Sequence, residues 1–170
     1  MRKRLAERSL GLALVLAAAA GCADDRMRLQ QGATVPLPID LLLPHSIRVH
    51  SFTGTRTFSK EGNLEGVEVR LEALDATGDR TKAFGTFRFE LYAYDRHRPE
   101  NRGAQLAVWD LDLLEPRANL VHFDRVYANY LFKLEWDRPL QVGRRFVLVA
   151  VFSSPFTERL TDQREFVAGE

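Results

Sequence analysis

The chain contains very little cysteine. Its 170 residues include one cysteine, Cys22. A single thiol cannot close an internal disulfide, and it cannot supply the several thiolates of a structural zinc site. Hydrophobic packing must therefore hold the fold together.

The chain also lacks an excess of charge of either sign. Its 24 basic and 23 acidic side chains give a formal net charge of +1. Residues 1–21 hold four of the basic side chains and one of the acidic ones, so the remaining chain has 20 basic and 22 acidic side chains and a net charge of −2. No basic stripe stands out either, and this balance argues against nucleic acid as a partner.

The motifs of common enzymes are missing as well. The sequence has no Gly-x-Ser-x-Gly nucleophile elbow, no His-Glu-x-x-His zinc motif and no glycine-rich phosphate loop. The histidines are scattered, at positions 45, 50, 97 and 122. We therefore predict no catalytic, cofactor-binding or metal-ligating residue, and we expect a protein that is not an enzyme.

A short apolar run lies near the N-terminus, over residues 10–20. It has about half of the roughly 20 residues that a membrane-spanning helix needs. A basic segment precedes it, with Arg2, Lys3, Arg4 and Arg8. A basic segment followed by a short apolar run is typical of a secretory leader, so the sequence predicts a signal peptide over residues 1–21.

The leader ends in small residues and the cysteine. The sequence Ala19, Ala20, Gly21, Cys22 resembles the lipobox of bacterial lipoproteins. The resemblance implies cleavage before Cys22 and attachment of acyl chains such as palmitate to that residue. The alternative is an ordinary signal peptide in which Cys22 is only a small residue. We adopt the lipidated interpretation because a lone thiol in an oxidising compartment is otherwise open to stray disulfides.

A tether follows the leader. Residues 22–44 contain polar side chains, Gly32 and three of the seven prolines, which disfavour both helix and sheet. The exception is a run of three leucines at positions 41–43. These leucines are either membrane-proximal or, as we expect, the first contact with the folded body. The body then spans residues 45–170 as one domain of ordinary size.

In the body the apolar residues alternate with polar ones. Over residues 67–73, every second side chain is apolar, and Glu68, Arg70 and Glu72 stand between them. This period of two is typical of a strand with one buried face and one wet face. The same alternation occurs over residues 87–94 and 130–136.

A different pattern marks residues 146–152, which are apolar at every position. Such a run is typical of a central strand that is covered on both faces. Shorter strand candidates occupy residues 47–52, 106–111, 120–123 and 165–168. Because glycine and proline breaks separate these segments, we predict an all-β fold, a two-sheet antiparallel β-sandwich of the Ig-like or C2-like type. A partly closed barrel is the rival architecture.

Three segments of the body carry a further resemblance. Residues 52–56, 87–92 and 146–156 are similar to parts of uncharacterised bacterial envelope lipoproteins that have a β-sandwich body. None of the three segments contains a catalytic motif. The resemblance therefore implies a location in the cell envelope and a fold, and it implies no activity.

Two tyrosines suggest a binding surface. Tyr92 and Tyr94 lie on the strand face that also carries Arg88 and Glu90. Exposed rings on that face would form a platform for a glycan or for the apolar edge of a protein partner. The alternative is that a loop covers this end of the strand and that both rings belong to the core.

These features together predict a membrane-anchored extracytoplasmic lipoprotein that binds or scaffolds an envelope component. The expected partners are the membrane, through the N-terminal acyl chains, and an envelope protein or a glycan. A structural subunit of an envelope assembly is the alternative, and a lipid-tethered hydrolase is the third class. Ala23, and not Asp, follows the cysteine. The lipoprotein resemblance then implies the periplasmic side of the outer membrane rather than the inner membrane.

We expect the protein from a bacterium with lipoprotein processing to carry acyl chains on Cys22 and to partition into detergent, because two or more chains give a stable anchor. Mass spectrometry of the mature N-terminus is the measurement. Cys22→Ala removes the acyl-accepting thiol and should accumulate as unlipidated precursor. An unmodified N-terminus at any residue after Gly21 would contradict the prediction.

Overall fold

The computed structural model describes residues 39–59, 65–138 and 141–169. The predicted leader, Cys22 and most of the tether lie outside these residues. In the described part, 3-10 turns occur at Ile39–Leu42 and Pro99–Asn101, and one α-helix, α1, covers Pro116–His122. The strands are β1 Ser46–Val49, β2 Gly54–Thr57, β3 Glu65–Leu74, β4 Arg80–Thr81, β5 Thr86–Tyr94, β6 Arg102–Asp112, β7 Phe123–Asp124, β8 Asn129–Trp136, β9 Arg145–Ser153 and β10 Leu160–Val167.

The first sheet is built around β3. Along one edge β3 pairs with β8, from Glu65 opposite Trp136 to Leu71 opposite Tyr130. The other edge is shared, because β2 pairs with the first half of β3 and β1 with its last residues. The short strand β4 also pairs with the end of β3, and β7 lies beyond β8. All of these pairs are antiparallel, so β3 holds the sheet together.

The second sheet has the order β10, β9, β5, β6, and its neighbours are antiparallel throughout. β9 therefore lies inside the sheet, and its seven positions from Phe146 to Phe152 are all buried. This confirms the prediction that the all-apolar run forms a central strand. The two sheets together confirm the all-β, two-sheet antiparallel sandwich.

The core forms where the inner faces of the two sheets meet. Phe87 of β5 lies at its centre, with its ring centroid 4.8 Å from that of Phe152 and 5.4 Å from that of Phe132. Phe89 contacts Phe132 as well, at 5.0 Å. Because these rings come from both sheets, their packing holds the two layers face to face.

A buried phenol connects three further elements. The Tyr130 hydroxyl donates to the side-chain oxygen of Asn119 at 2.8 Å and accepts from the backbone N–H of Ala83 at 2.8 Å. Burial raises the pKa of Tyr130. This network attaches α1 and the connection between β4 and β5 to β8.

The strand predicted over residues 120–123 is wrong. Leu120 belongs instead to α1, in which Pro116 occupies the first turn. Proline is favoured in the first turn of a helix, because its fixed φ is close to the helical value and because an N–H at that position would have no acceptor within the helix. The strand predicted over 47–52 also ends early, at Val49, because a turn closes from the N–H of Thr53 to the carbonyl of His50 at 3.0 Å.

We had expected the leucine run before β1 to pack against the body, but two of its three leucines do not. Leu41 and Leu42 are exposed in the Ile39–Leu42 turn, and among the described residues Pro44 is the first that is buried. The Thr81 hydroxyl donates a hydrogen bond to the Leu42 carbonyl at 2.6 Å, and this contact attaches the turn to the sandwich.

Replacing Leu148 by alanine should lower the free energy of unfolding by about 2–5 kcal/mol, because the side chain is fully buried in the core and its loss leaves a cavity. Urea denaturation of the chain without its leader is the measurement. Val142→Ala is the matched control, since Val142 is 83% exposed. An equal effect of the two substitutions would contradict the assigned position of β9.

Candidate functional site

The outer face of the first sheet carries charged side chains. Glu68, Arg70 and Glu72 of β3 point away from the core, because successive side chains of a strand alternate between its faces. The neighbouring strands bring arginines to the same face. Arg48 of β1 stands directly opposite Glu72, and Arg56 of β2 comes within 4.0 Å of Glu68.

Glu72 is the buried centre of this cluster. Its carboxylate contacts Nη2 of Arg80 at 2.7 Å and Nε of Arg48 at 3.4 Å. A buried carboxylate is costly unless charged donors surround it. The two guanidinium groups are therefore held above Glu72 by the charge that they compensate.

A looser group surrounds Glu68. The carboxylate of Glu68 lies 3.9 Å from Nε of Arg70, and Nη1 of Arg70 lies 4.0 Å from Asp124. These distances are long for a direct hydrogen bond. Arg70 is thus attracted from two sides, with its donors less fully engaged than those of Arg80.

The turn from His50 to Thr53 fills the gap between β1 and β2. The Thr53 hydroxyl accepts from the N–H of Arg70 at 3.1 Å and donates to its carbonyl at 3.3 Å. The N–H of His50 donates to the same carbonyl at 2.8 Å. The turn presents Phe52 to solvent, with its ring 4.9 Å from that of His50.

A second exposed ring stands on the β7–β8 loop. The Asp124 carboxylate accepts from the N–H groups of Val126 at 2.9 Å and Tyr127 at 3.2 Å. The Tyr127 carbonyl accepts from Arg80 at 3.1 Å. The Arg70 guanidinium lies 5.6 Å from the centre of the Tyr127 ring. The loop is therefore tied to the arginine cluster.

A cleft of about 330 Å³ opens between these groups. We call it the arginine cleft, and it is lined by His50, Phe52, Arg56, Glu68, Arg70, Glu72, Arg80, Tyr127 and Asn129. Asn129 is buried, and its side-chain oxygen has no hydrogen-bond partner within the structure. An unpartnered polar atom in the wall of a cleft is a place where a bound molecule can donate a hydrogen bond.

The charges of the arginine cleft are layered. The side chains of Glu72 and Glu68 are 4% and 19% exposed, whereas those of Arg80 and Arg56 are 50% and 48% exposed. The carboxylates thus lie beneath the guanidinium groups. A molecule that approaches from solvent meets N–H donors with positive charge first.

The two tyrosines predicted as a binding surface lie on the outer face of the other sheet. Tyr92 and Tyr94 are half-buried and pack against a small apolar cluster of Val147, Val149 and Val151. The Tyr92 hydroxyl donates to Glu90 at 2.6 Å, and this hydrogen bond raises the pKa of Tyr92. The suggested role of these rings in binding stays a prediction.

The start of β6 and the connection before it reach across this valine cluster. Asn101 donates to Glu165 of β10 at 2.6 Å, and Arg102 donates to Gln163 at 2.9 and 2.6 Å. Arginines also lie over the rings, since the Arg145 guanidinium is 4.9 Å from the centre of Tyr94. The valines are therefore covered although they face away from the main core.

The arginine cleft was not among the predicted site residues. The signal in the sequence was the alternation of Glu68, Arg70 and Glu72, which is typical of any solvated strand face. Arg48 and Tyr127 join that face only through strand pairing and loop closure over long stretches of sequence. In the described ranges, no three His, Cys, Asp or Glu side chains are grouped so that they could hold a metal ion.

The chain was compared with protein-family models, with curated proteins and with solved structures, and none of the three comparisons gave a match. Within the described residues no helix is long and apolar enough to cross a membrane.

Glu72→Gln should lower the free energy of unfolding by about 1–3 kcal/mol, because it removes the buried negative charge that binds the guanidinium groups of Arg48 and Arg80. Glu68→Gln is the matched control and should cost below about 1 kcal/mol, since its contacts are longer and more exposed. Urea denaturation compares the two. A larger cost for Glu68→Gln would contradict the layered arrangement.

Proposed function

We propose that this protein is a lipid-anchored protein of the bacterial cell envelope that binds an acidic saccharide in the arginine cleft. Acyl chains on Cys22 would hold it to the membrane, with the periplasmic side of the outer membrane as the proposed location. The observation that carries the binding role is the layer of exposed guanidinium groups between two exposed aromatic rings.

The arginines favour an anionic ligand. Guanidinium groups present several N–H donors in a plane that matches the oxygens of a carboxylate or a phosphate. Arg80 uses Nη2 for Glu72 and Nη1 for the Tyr127 carbonyl. Arg56 also lines the cleft, with its Nε 4.0 Å from Glu68 and its Nη1 donating to the Thr55 carbonyl at 3.0 Å, and none of the described contacts engages its Nη2. Arg56 is therefore the cleft donor most open to a bound carboxylate.

The rings favour a saccharide. Phe52 and Tyr127 are 67% and 59% exposed, although rings of this size are usually buried. Exposed aromatic rings beside fixed polar groups suit a ligand with one apolar and one hydroxylated surface, as a sugar ring has. The unpartnered oxygen of Asn129 is an acceptor for a sugar hydroxyl. The exposed rings, the arginines and the Asn129 acceptor together support an acidic sugar as the ligand.

Calorimetric titration of the chain beginning at Ala23 tests the ligand class. The probes are tetragalacturonate as the acidic saccharide, maltotetraose as the neutral one and tetraglutamate as an acidic peptide. We expect tetragalacturonate to bind at least about tenfold more tightly than either of the others, and added salt to weaken it, because exposed ion pairs are screened. Tighter binding of tetraglutamate would assign the cleft to a peptide and overturn the saccharide proposal.

Substitutions locate the binding. Phe52→Ala and Arg56→Gln should each weaken the binding of tetragalacturonate roughly tenfold, the usual effect of truncating a central contact residue. Phe156→Ala and Arg159→Gln are the matched controls, because both side chains are exposed and neither lines the cleft. Equal affinity in all four variants would exclude the arginine cleft as the site.

A further inference from the structure

Exposed apolar side chains concentrate at one end of the sandwich. In the first sheet, β3 ends and β8 begins here, because Leu71 pairs with Tyr130. In the second sheet, β5 begins and β6 ends here, because Thr86 pairs with Asp112. Thirteen large apolar side chains are exposed in the described part of the chain. Eight of them belong to the segments at this end; the other five are Phe52, Val108, Val126, Tyr127 and Val142.

These segments contact one another. The Thr81 hydroxyl binds the Leu42 carbonyl, and the Asn119 side chain donates to the carbonyl of Ala83. The ring centroids of Phe84 and Phe156 are 5.7 Å apart. The N-terminal turn, the β4–β5 connection, α1 and the β9–β10 loop are therefore neighbours, and we call their exposed surface the apolar end.

The helix α1 shows how this surface is presented. Ala118 packs against the core, and Asn119 is held by Ala83. Leu120 and Val121 follow on the solvent side and are 48% and 74% exposed. No partner within the described structure covers them. Apolar patches left open in this way mark contacts with membranes or other proteins.

The chain enters the sandwich at the same end. Ile39 is the first described residue, and its turn is part of the apolar end. The segment from Cys22 to Ile39 can span at most about 55 Å when extended, so an anchor at Cys22 keeps the apolar end close to the bilayer. Within this segment, residues 24–31 are mostly charged or amide side chains and are poorly suited to cover an apolar surface.

We propose that the apolar end rests on the bilayer that holds Cys22, with α1 and residues 154–159 placed among the lipid headgroups. This proposal rests on the proposed lipid anchorage. Three basic side chains, Lys82, Arg117 and Arg159, are balanced by three acidic ones, Asp40, Glu115 and Glu158, in the segments of the apolar end. Contact therefore depends on apolar insertion and needs no anionic lipid. The strands then stand on the membrane, and the arginine cleft opens to the side.

Hydrogen exchange tests the contact. The chain beginning at Cys22 is coupled through its thiol to a maleimide lipid in phosphatidylcholine vesicles, and the same chain with a capped thiol is kept in solution. We expect roughly tenfold slower amide exchange in α1 and residues 154–159 on the vesicles, because insertion suppresses local opening. Residues 95–101, at the other end, should exchange equally in both samples. Unchanged exchange in α1 would overturn the proposal.

Chemical coupling separates this test from the natural anchorage, since it places the chain on a bilayer whether or not cells acylate Cys22. Val121→Asp and Phe156→Ser should each remove most of the protection, whereas Val142→Asp, at the opposite end, should retain it. Melting curves of the capped chains verify that all three variants fold. Loss of protection in all three, or protection that requires phosphatidylglycerol in the vesicles, would exclude apolar docking.

Discussion

Phe87 packs against Phe132 of the first sheet and Phe152 of the second, and this contact between the layers is what the rest of the structure depends on. With one cysteine in the chain, no internal disulfide can share the task. Ring packing therefore fixes how the sheets face each other. It also decides which side chains are left on the two outer faces, where the protein can meet other molecules.

The two outer faces are built differently because their central strands differ. β3 alternates, so its outer face is charged, and Glu72 is buried only because Arg48 and Arg80 lie over it. β9 is apolar at every position from Phe146 to Phe152, so its outward-facing valines have to be shielded from solvent, and the half-buried Tyr92 and Tyr94 help to shield them. The charged face forms a cleft, and the covered face forms a second small core.

The position of the arginine cleft suits a protein held by one end. It lies on a flank of the sandwich, whereas the chain enters at an end, beside Thr81. Resting that end on a bilayer would leave the cleft open to solvent. The layered charges add selectivity, because the buried carboxylates orient the guanidinium groups without shielding them from a ligand. The proposed membrane contact and the proposed ligand site would thus occupy separate surfaces of the sandwich.

The sequence alone determined the strand faces, the central place of β9 and the division into two sheets, because an alternation of period two and an apolar run are local properties of a chain. It failed at residues 120–123, where Pro116 and the contacts of Asn119 favour a helix over a strand. It also placed Tyr92 and Tyr94 on an outer face but could not show what covers them. The arginine cleft was decided by tertiary structure only, because the register that sets Arg48 opposite Glu72 and the loop that carries Tyr127 join residues far apart in sequence.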